Sequence, residues 1–555
     1  MWSRFAGPHT PGARRRVSAI TFFPHSFHTA MGLHCYEQLS PLYGDIHNHC
    51  AISYGHGSLA DALANARERL DFVSITGHAH WPDMPAPDAR LQPVIDFHQD
   101  GFARLKATWP AMLATLRAVN HEGTFTVFPA FEVHFSASGD RNILYHDLVR
   151  PDNDLRILYP DSLGDLNRQL LGLRQRGIDT LAQPHHIGYK KGTRGIDWST
   201  FDPTFAPVVE LISMHGCSEE SDNPRPFLHV MGPSDFEGTL HHGLASGCIF
   251  GVTGGTDHHS GHPGSYGHGL TGVWIEGRHT RDAIWSALYQ RRSWAMTGDK
   301  IALRFAIDDY PMGSIIPHEP DRPRRIQCEV EAGGSIDYVD ILKNNRLIKR
   351  VSECDPISTP GREGESIRTK LHLEFGWGPR RKTFHWEGRF GISDGHIRSV
   401  EPRFRGRQVV SPLEAKDDQS TYHTARILDS GTQHVSFEAV SEGNPNNFTN
   451  ATQGVCIEVE IPRSAEVRAH LNGQKLSWPL ATLLQGARSG LMSGIESNAW
   501  RINRAPLPHE LHYNLGFEDT DNLKSGDTYY ARVRQRNDQW AWSSAIFVRD
   551  PVSMT

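Results

Sequence analysis

At 555 residues and 62.2 kDa the chain exceeds what one ordinary hydrophobic core holds, so a single small domain is excluded and two or more are expected. Hydrophobic residues at 38%, charged residues at 22% and a formal net charge of -6 exclude wholesale disorder and argue against a polyanion-binding surface, so no nucleic-acid partner is expected. No run approaches the roughly 20 consecutive apolar residues that cross a bilayer, and seven cysteines without a CxxC pair make a poor disulfide framework. The expectation is a cytoplasmic protein with no membrane partner.

Residues 1–40 read as a mobile leader, with Arg14, Arg15 and Arg16 ahead of an apolar stretch at 19–23 that is too short for a secretory signal. Met31 offers an alternative start. From Tyr43 to about Arg292, short apolar runs at 42–47, 71–76, 125–131, 180–183, 208–214 and 249–253 alternate with helical patterns, the signature of βα units. Ser58 with Asp61, and Ser234 with Glu237, are helix-start cues, and a helix over 162–176 closes at Gly177. The fold class expected for residues 41–298 is α/β, a (β/α) TIM-type barrel. Beyond about Thr297, alternating runs at 327–331, 336–342, 435–440, 455–461 and 529–533 are separated by Gly, Pro, Asn and Asp. They predict a mainly antiparallel, sandwich-like β-domain over 299–555.

Of the 33 histidines, 24 precede residue 280, so the chemistry is expected in the first half. His47 and His49 are two apart on a strand end, which puts both rings on one face. Similar ligand types close one strand after another: His78 and His80, Glu132 and His134, His185 and His186, His215, then Asp257, His258 and His259. In a parallel barrel these ends share one rim. Imidazoles with carboxylates suit zinc, manganese or iron better than calcium or magnesium.

The order HxH, TxH, a carboxylate after an apolar strand, PHH and a terminal DxH resembles the polymerase-and-histidinol-phosphatase (PHP) superfamily. GDIHNH, PHHIGY, VVELISMHGCSEE, GGTDHH, the segment from Thr280 to Gly298 and YYARVRQRNDQWAWSS resemble its DUF3604 group. The resemblance implies a distorted barrel and two or three divalent transition-metal ions (Zn, Mn or Fe). It assigns His47, His49, Glu132 and Asp257 to one metal, Glu132 bridging to a second held by His185, and His78 and His259 to a third. Tyr54 and Gly77 stand where the family pattern has acids, leaving His56 as a substitute ligand. The remaining ligand between Glu132 and His185 is either His146 or, by alignment on the apolar run 142–145, Asn142 or Asp140; His134 lies closer to Glu132 in sequence.

The resemblance implies a metal-dependent hydrolase acting on a small-molecule ester, with Asp257 or His215 managing protons. Glu219 and Glu220 form a local group with His215, while His186, His258, His262 and His268 surround the ligands. Lys190, Lys191 and Arg194 could neutralise an anionic substrate group, which favours a phosphoester. Trp81, Trp198 and Trp274 could line an apolar pocket, which would suit a carbamate or carboxyl ester. A non-catalytic, degenerate barrel is the alternative of another class.

Overall fold

The computed structural model of the protein describes residues 33–150, 155–352, 366–380, 382–407 and 425–551. Of the expected leader, residues 1–32, including Met31, lie outside the described residues. Residues 33–40 contain the short helix His34–Tyr36 and the start of the first strand. The Tyr36 ring packs edge-on against Trp274 at 5.1 Å.

The strands of the first half are β1 (Leu39–Asp45), β2 (Phe72–His80), β3 (Thr126–Val133), β4 (Arg141–Tyr145), β5 (Thr180–Pro184), β6 (Val208–Ser213), β7 (Gly216–Cys217), β8 (Gly251–Gly254), β9 (Leu270–Glu276) and β10 (Ser293–Met296). The principal helices are α1 (Leu59–Arg67), α2 (Gln92–Val119), α3 (Leu163–Gln175), α4 (Leu240–Ala245) and α5 (Arg281–Tyr289). The cap expected at Ser58 is present, its Oγ accepting from the Asp61 amide at 3.1 Å, and the helix expected over 162–176 is capped in the same way, Ser162 Oγ accepting from the Asp165 amide at 3.2 Å. Each satisfies an otherwise orphaned helix-start donor. The cue at Ser234 is corrected. Its hydroxyl donates to Ser221 O, Asp235 caps the short turn Phe236–Gly238, and α4 starts from Thr239.

The ladder runs β10–β9–β1–β2–β3–β4–β5, with β1, β2 and β3 parallel and β4 antiparallel to both neighbours. β6 pairs instead with β8 and β7 in a separate three-stranded sheet. Among the described residues the ladder therefore does not close, and the strand pairing shows a mixed α/β arrangement. Pro184 ends β5 and Pro207 precedes β6, and neither has an N–H to give a ladder across that gap. Side chains bridge it locally: Gln183 Nε2 donates to Thr253 Oγ1 at 2.6 Å.

The second half is built of antiparallel sheets. Ser366–Gly376, Gln453–Pro462 and three further strands form one sheet, and Thr383–Ile392, His434–Glu442 and three others form another. Alternation decides what faces inward: Ile367, Thr369, Leu371, Leu373 and Phe375 are buried along one strand. Phe375 meets Trp386 and Phe437 of the opposite sheet at 5.1 and 5.0 Å. This is the sandwich-like core that the period-2 pattern predicts. The strand Trp540–Ser543 pairs with β10 and extends the main sheet. No helix among the described residues is long and apolar enough to cross a membrane.

Candidate metal centre

Past the end of β1 the chain stays extended and is pinned on both sides. His49 N donates to His258 O at 2.9 Å, Asp257 N to His47 O at 2.7 Å and Thr76 N to Asn48 O at 2.9 Å. Asp45, at the end of β1, accepts from Thr256 Oγ1 at 2.6 Å and from the amides of Thr256, His47 and Gly264. These bonds fix the loop carrying Asp257 against the strand carrying both histidines. Gly255 is required at the crossing, because a Cβ there would lie 2.4 Å from Glu210 Oε2 and 2.7 Å from His47 Cβ. Asp257 itself takes a left-handed φ of 50°, an uncommon conformation that marks a constrained loop.

The side chains meet around Glu132, which is 1% exposed. Its Oε2 lies 3.5 Å from His47 Nε2, 3.3 Å from His49 Nε2 and 3.3 Å from His78 Nδ1. Its Oε1 lies 3.1 Å from His185 Nε2 and 3.3 Å from His134 Nδ1. Asp257 Oδ1 is 3.2 Å from His47 Nε2 and 3.0 Å from His49 Nε2. His259 joins through Nε2, 3.1 Å from His78 Nε2.

Among the described residues, four sets of ligand-type atoms are close enough to hold an ion: His47, His49 and Glu132; His49, His78 and His259; His78, Glu132 and His134; and Glu132, Asp140, His185 and His186. His47 Nε2, His78 Nδ1 and Glu132 Oε2 are buried without a hydrogen-bond partner. Buried polar atoms are seldom left so. This donor chemistry fits a divalent transition ion.

Electrostatics keep the carboxylates ionised and most of the imidazoles neutral, as such an ion needs. His47 is the exception, since burial opposes protonating it but Asp257 and Glu210 outweigh this and raise it well above the ordinary histidine value, so an ion there would have to displace its proton. Burial opposes ionising Glu132, but the surrounding imidazoles of His78, His185 and His134 outweigh it and hold the carboxyl well below the ordinary carboxylate range. Asp257 is likewise buried, and His47 and His215 hold it well below its ordinary value. Burial pushes His259 down to about 3 and His186 to about 4, so both rings are neutral and offer a lone pair.

Of the residues assigned from sequence, His47, His49, His78, Glu132, His185, Asp257 and His259 come together. His215 joins at the edge, its Nε2 3.0 Å from Asp257 Oδ2 and its Nδ1 2.7 Å from the Tyr189 hydroxyl. His146 does not. It follows the far end of the reversed strand β4 and pairs with Asp147 and Asp282 at 3.0 and 2.9 Å. Asp140, at the near end of β4, takes its place in the cluster. His56 is buried in the loop beside His259, to whose carbonyl its amide donates, but it belongs to none of the four sets.

The basic loop is divided: its lysines point away from the cluster and its arginine points into it. Lys190 is exposed, Lys191 pairs with Asp197 at 2.9 Å, and Arg194 turns inward onto Asp140. Glu219 does not join His215. It accepts from the Tyr530 hydroxyl and Trp542 Nε1. Trp274 and Trp198 are core residues, Trp198 stacking on Phe250 at 4.9 Å, while Trp81 lies under Arg194.

Two participants escaped the sequence reading. Glu210 on β6 is buried and bonded to His47 Nδ1 at 2.7 Å, which turns Nε2 toward Glu132. A lone carboxylate within an otherwise apolar, wholly buried strand, inside the VVELISMHGCSEE motif, was its only signal. Tyr54 stacks on His78 at 3.6 Å, with its hydroxyl 3.3 Å from His134 Nε2.

The site is thus a buried histidine–carboxylate centre of the metal-binding kind. No family model matches the chain. Uncharacterized proteins of Chlamydia trachomatis and Chlamydia muridarum are each 36% identical to it, over 170 and 166 residues, covering 28% and 27% of this chain and 27% and 26% of theirs. One of Chlamydia pneumoniae is 31% identical over 186 residues, covering 31% of this chain and 29% of its own. The chain therefore spans between a quarter and a third of the length of the curated relatives it matches. A crystal structure of a two-domain protein containing a predicted PHP-like metal-dependent phosphoesterase, from Bacteroides vulgatus, aligns with 80% of this chain and 95% of its own at a TM-score of 0.29 and 10% identity.

Proposed function

We propose that this chain is a divalent-metal-dependent hydrolase of small organic esters, with the metal held by His47, His49, Glu132 and Asp257. The observation that carries the reading is the convergence of two imidazole Nε2 atoms on Glu132 Oε2 and Asp257 Oδ1, all within 3.0 to 3.5 Å, among buried side chains. A divalent ion supplies Lewis acidity there and lowers the pKa of water from about 15.7 toward 7.

The chain's own residues arrange the rest. Glu210 fixes the tautomer of His47, and Asp45 fixes the loop that delivers Asp257. His215 links Asp257 Oδ2 to the Tyr189 hydroxyl, a route by which a proton can leave the buried centre. Such a relay is worth roughly 10²- to 10⁴-fold in rate.

Phosphoesters are the first substrates to test, on the strength of the sequence resemblance to PHP proteins. Carboxyl and carbamate esters are the second reading. It is favoured by the engagement of Lys191 and Arg194 with Asp197 and Asp140, which takes from the basic loop the charge a phosphate would need.

The test combines elemental analysis with a panel of aryl phosphate mono- and diesters, carboxyl esters and carbamates in added Mn, Zn, Fe or Co. At least one transition ion per chain is expected, with turnover lost on chelation and restored by metal. Glu132→Gln removes the charge between the histidine sets and is expected to cut turnover at least 100-fold, about 2.7 kcal/mol of barrier, in a folded protein. Absence of both metal and turnover across the panel would reject the reading.

A further inference from the structure

The two oxygens of Glu132 face different surroundings. On the Oε1 side stand Asp140, His185 and His186, whose ligand-type atoms with those of Glu132 are close enough to hold an ion. Arg194 is already there. Its Nε donates to Asp140 Oδ2 at 2.6 Å, its Nη2 contacts the same oxygen and donates to His134 Nδ1, and Nη2 lies 3.8 Å from Glu132 Oε1.

Arg194 is built into this position. The guanidinium lies over Trp81, 5.3 Å from the ring centre, and Nη1 is 3.4 Å from Met231 Sδ. Its backbone amide donates to Ser136 O at 3.0 Å, and its φ of 66° is in the left-handed region. A non-glycine residue is held there only when its surroundings enforce it. Both nitrogens of His134 are also committed, Nδ1 to Arg194 and Nε2 to Tyr54.

A guanidinium bonded to Asp140 and near Glu132 Oε1 supplies the positive charge that these two buried carboxylates require. A divalent ion placed among the same atoms would face a fixed cation at close range in a pocket that screens charge poorly. We infer that Arg194 is the resident cation of the Oε1 side, standing where a further metal ion would bind, so that the metal centre is confined to the Oε2 side with His47, His49 and Asp257. This rests on the metal-dependent reading above and sharpens it. The resemblance implies an ion at His185, whereas this chain fills that position with its own side chain.

The experiment compares the full-length wild type with Arg194→Met, which keeps the packing on Trp81 and Met231 but removes the charge. Both are loaded with Mn²⁺, dialysed, analysed for metal, and examined by anomalous diffraction. The variant is expected to gain one equivalent of metal, with a new anomalous peak between Asp140 and His186. Its melting temperature should rise more on metal addition than that of the wild type, because Asp140, left with His134, His186 and the Phe135 amide, then regains a full positive charge beside it. The wild type is expected to show no peak at that place, with Arg194 still on Asp140.

A folded variant with unchanged stoichiometry overturns the inference. So does a wild-type peak beside Asp140 and His186 with Arg194 displaced, a measurement that decides the matter even if Arg194→Met fails to fold. Failure of the hydrolase reading looks different: neither protein would then hold an ion at His47, His49 and Asp257.

Discussion

At the residue scale, Glu210 shows how a site depends on groups that would never touch its ion. Its carboxylate, 2.7 Å from His47 Nδ1, selects the tautomer that leaves Nε2 a lone pair and stops the ring from turning. Outer partners of this kind are worth 10- to 100-fold in metal affinity. Glu210→Gln is therefore expected to weaken metal binding by about that factor in a competition titration with a chromogenic chelator. An unchanged affinity would show that packing alone orients His47. His47, His49, Glu132 and Asp257 were legible because each is a ligand-type residue at the end of a run that reads as a strand. Glu210 was not, since a buried glutamate within an apolar strand carries no spacing rule.

Among the elements, β4 accounts for the place of His146 outside the cluster. A residue after a strand reaches the rim only if the strand runs with its neighbours, and β4 is antiparallel to both β3 and β5. Asp140, just before its first residue, therefore reaches the centre while His146, past its end, lies away from it. Five residues cannot announce their direction, so Asp140 and His146 were indistinguishable by pattern. The long helix α2 went unassigned for another reason: Gly101 and Pro110 interrupt its 28 residues. Gly101 is there for contact, because a Cβ would come within 2.4 Å of the Tyr54 ring, which in turn stacks on His78. Where a helix start followed the Ser-x-x-acid rule with an apolar face behind it, as at Ser58, sequence sufficed. Ser162→Ala is expected to cost about 1 kcal/mol, seen as a lower urea midpoint with metal content unchanged. An unshifted midpoint would mean that the Asp165 amide finds water as readily as the hydroxyl.

Over the whole molecule, the two halves are tied by charge as well as by strands. Arg69, just after α1, and Arg403 both pair with Glu401, at 3.3 and 3.0 Å. Burial opposes ionising Glu401, but Arg403 and Arg69 outweigh it and hold its carboxyl well below the ordinary glutamate value. Because the folded value is depressed, this contribution is complete above the unfolded pKa of about 4.3 and disappears as pH falls through the folded one. Wild type is therefore expected to melt higher than Glu401→Gln at pH 7, with the gap closing progressively below about pH 4. A gap that stays constant down to pH 3 would place the effect in shape rather than charge. The alternating burial of the second half was readable from composition. Which of its strands joins the first sheet was not, because pairing over a separation such as Trp294 with Ser543 leaves no local trace.

That pairing sets an order of events during synthesis. When β10 leaves the ribosome its outer edge has no partner, and it stays bare until residues 540–543 have been made almost 250 positions later. Glu219, buried near His215, must also wait for Tyr530, Arg532 and Trp542 to cover its charge. The histidine-bearing half thus remains incomplete while the rest is translated. A cell making this protein accordingly has to shield an open sheet edge for nearly half of the time translation takes.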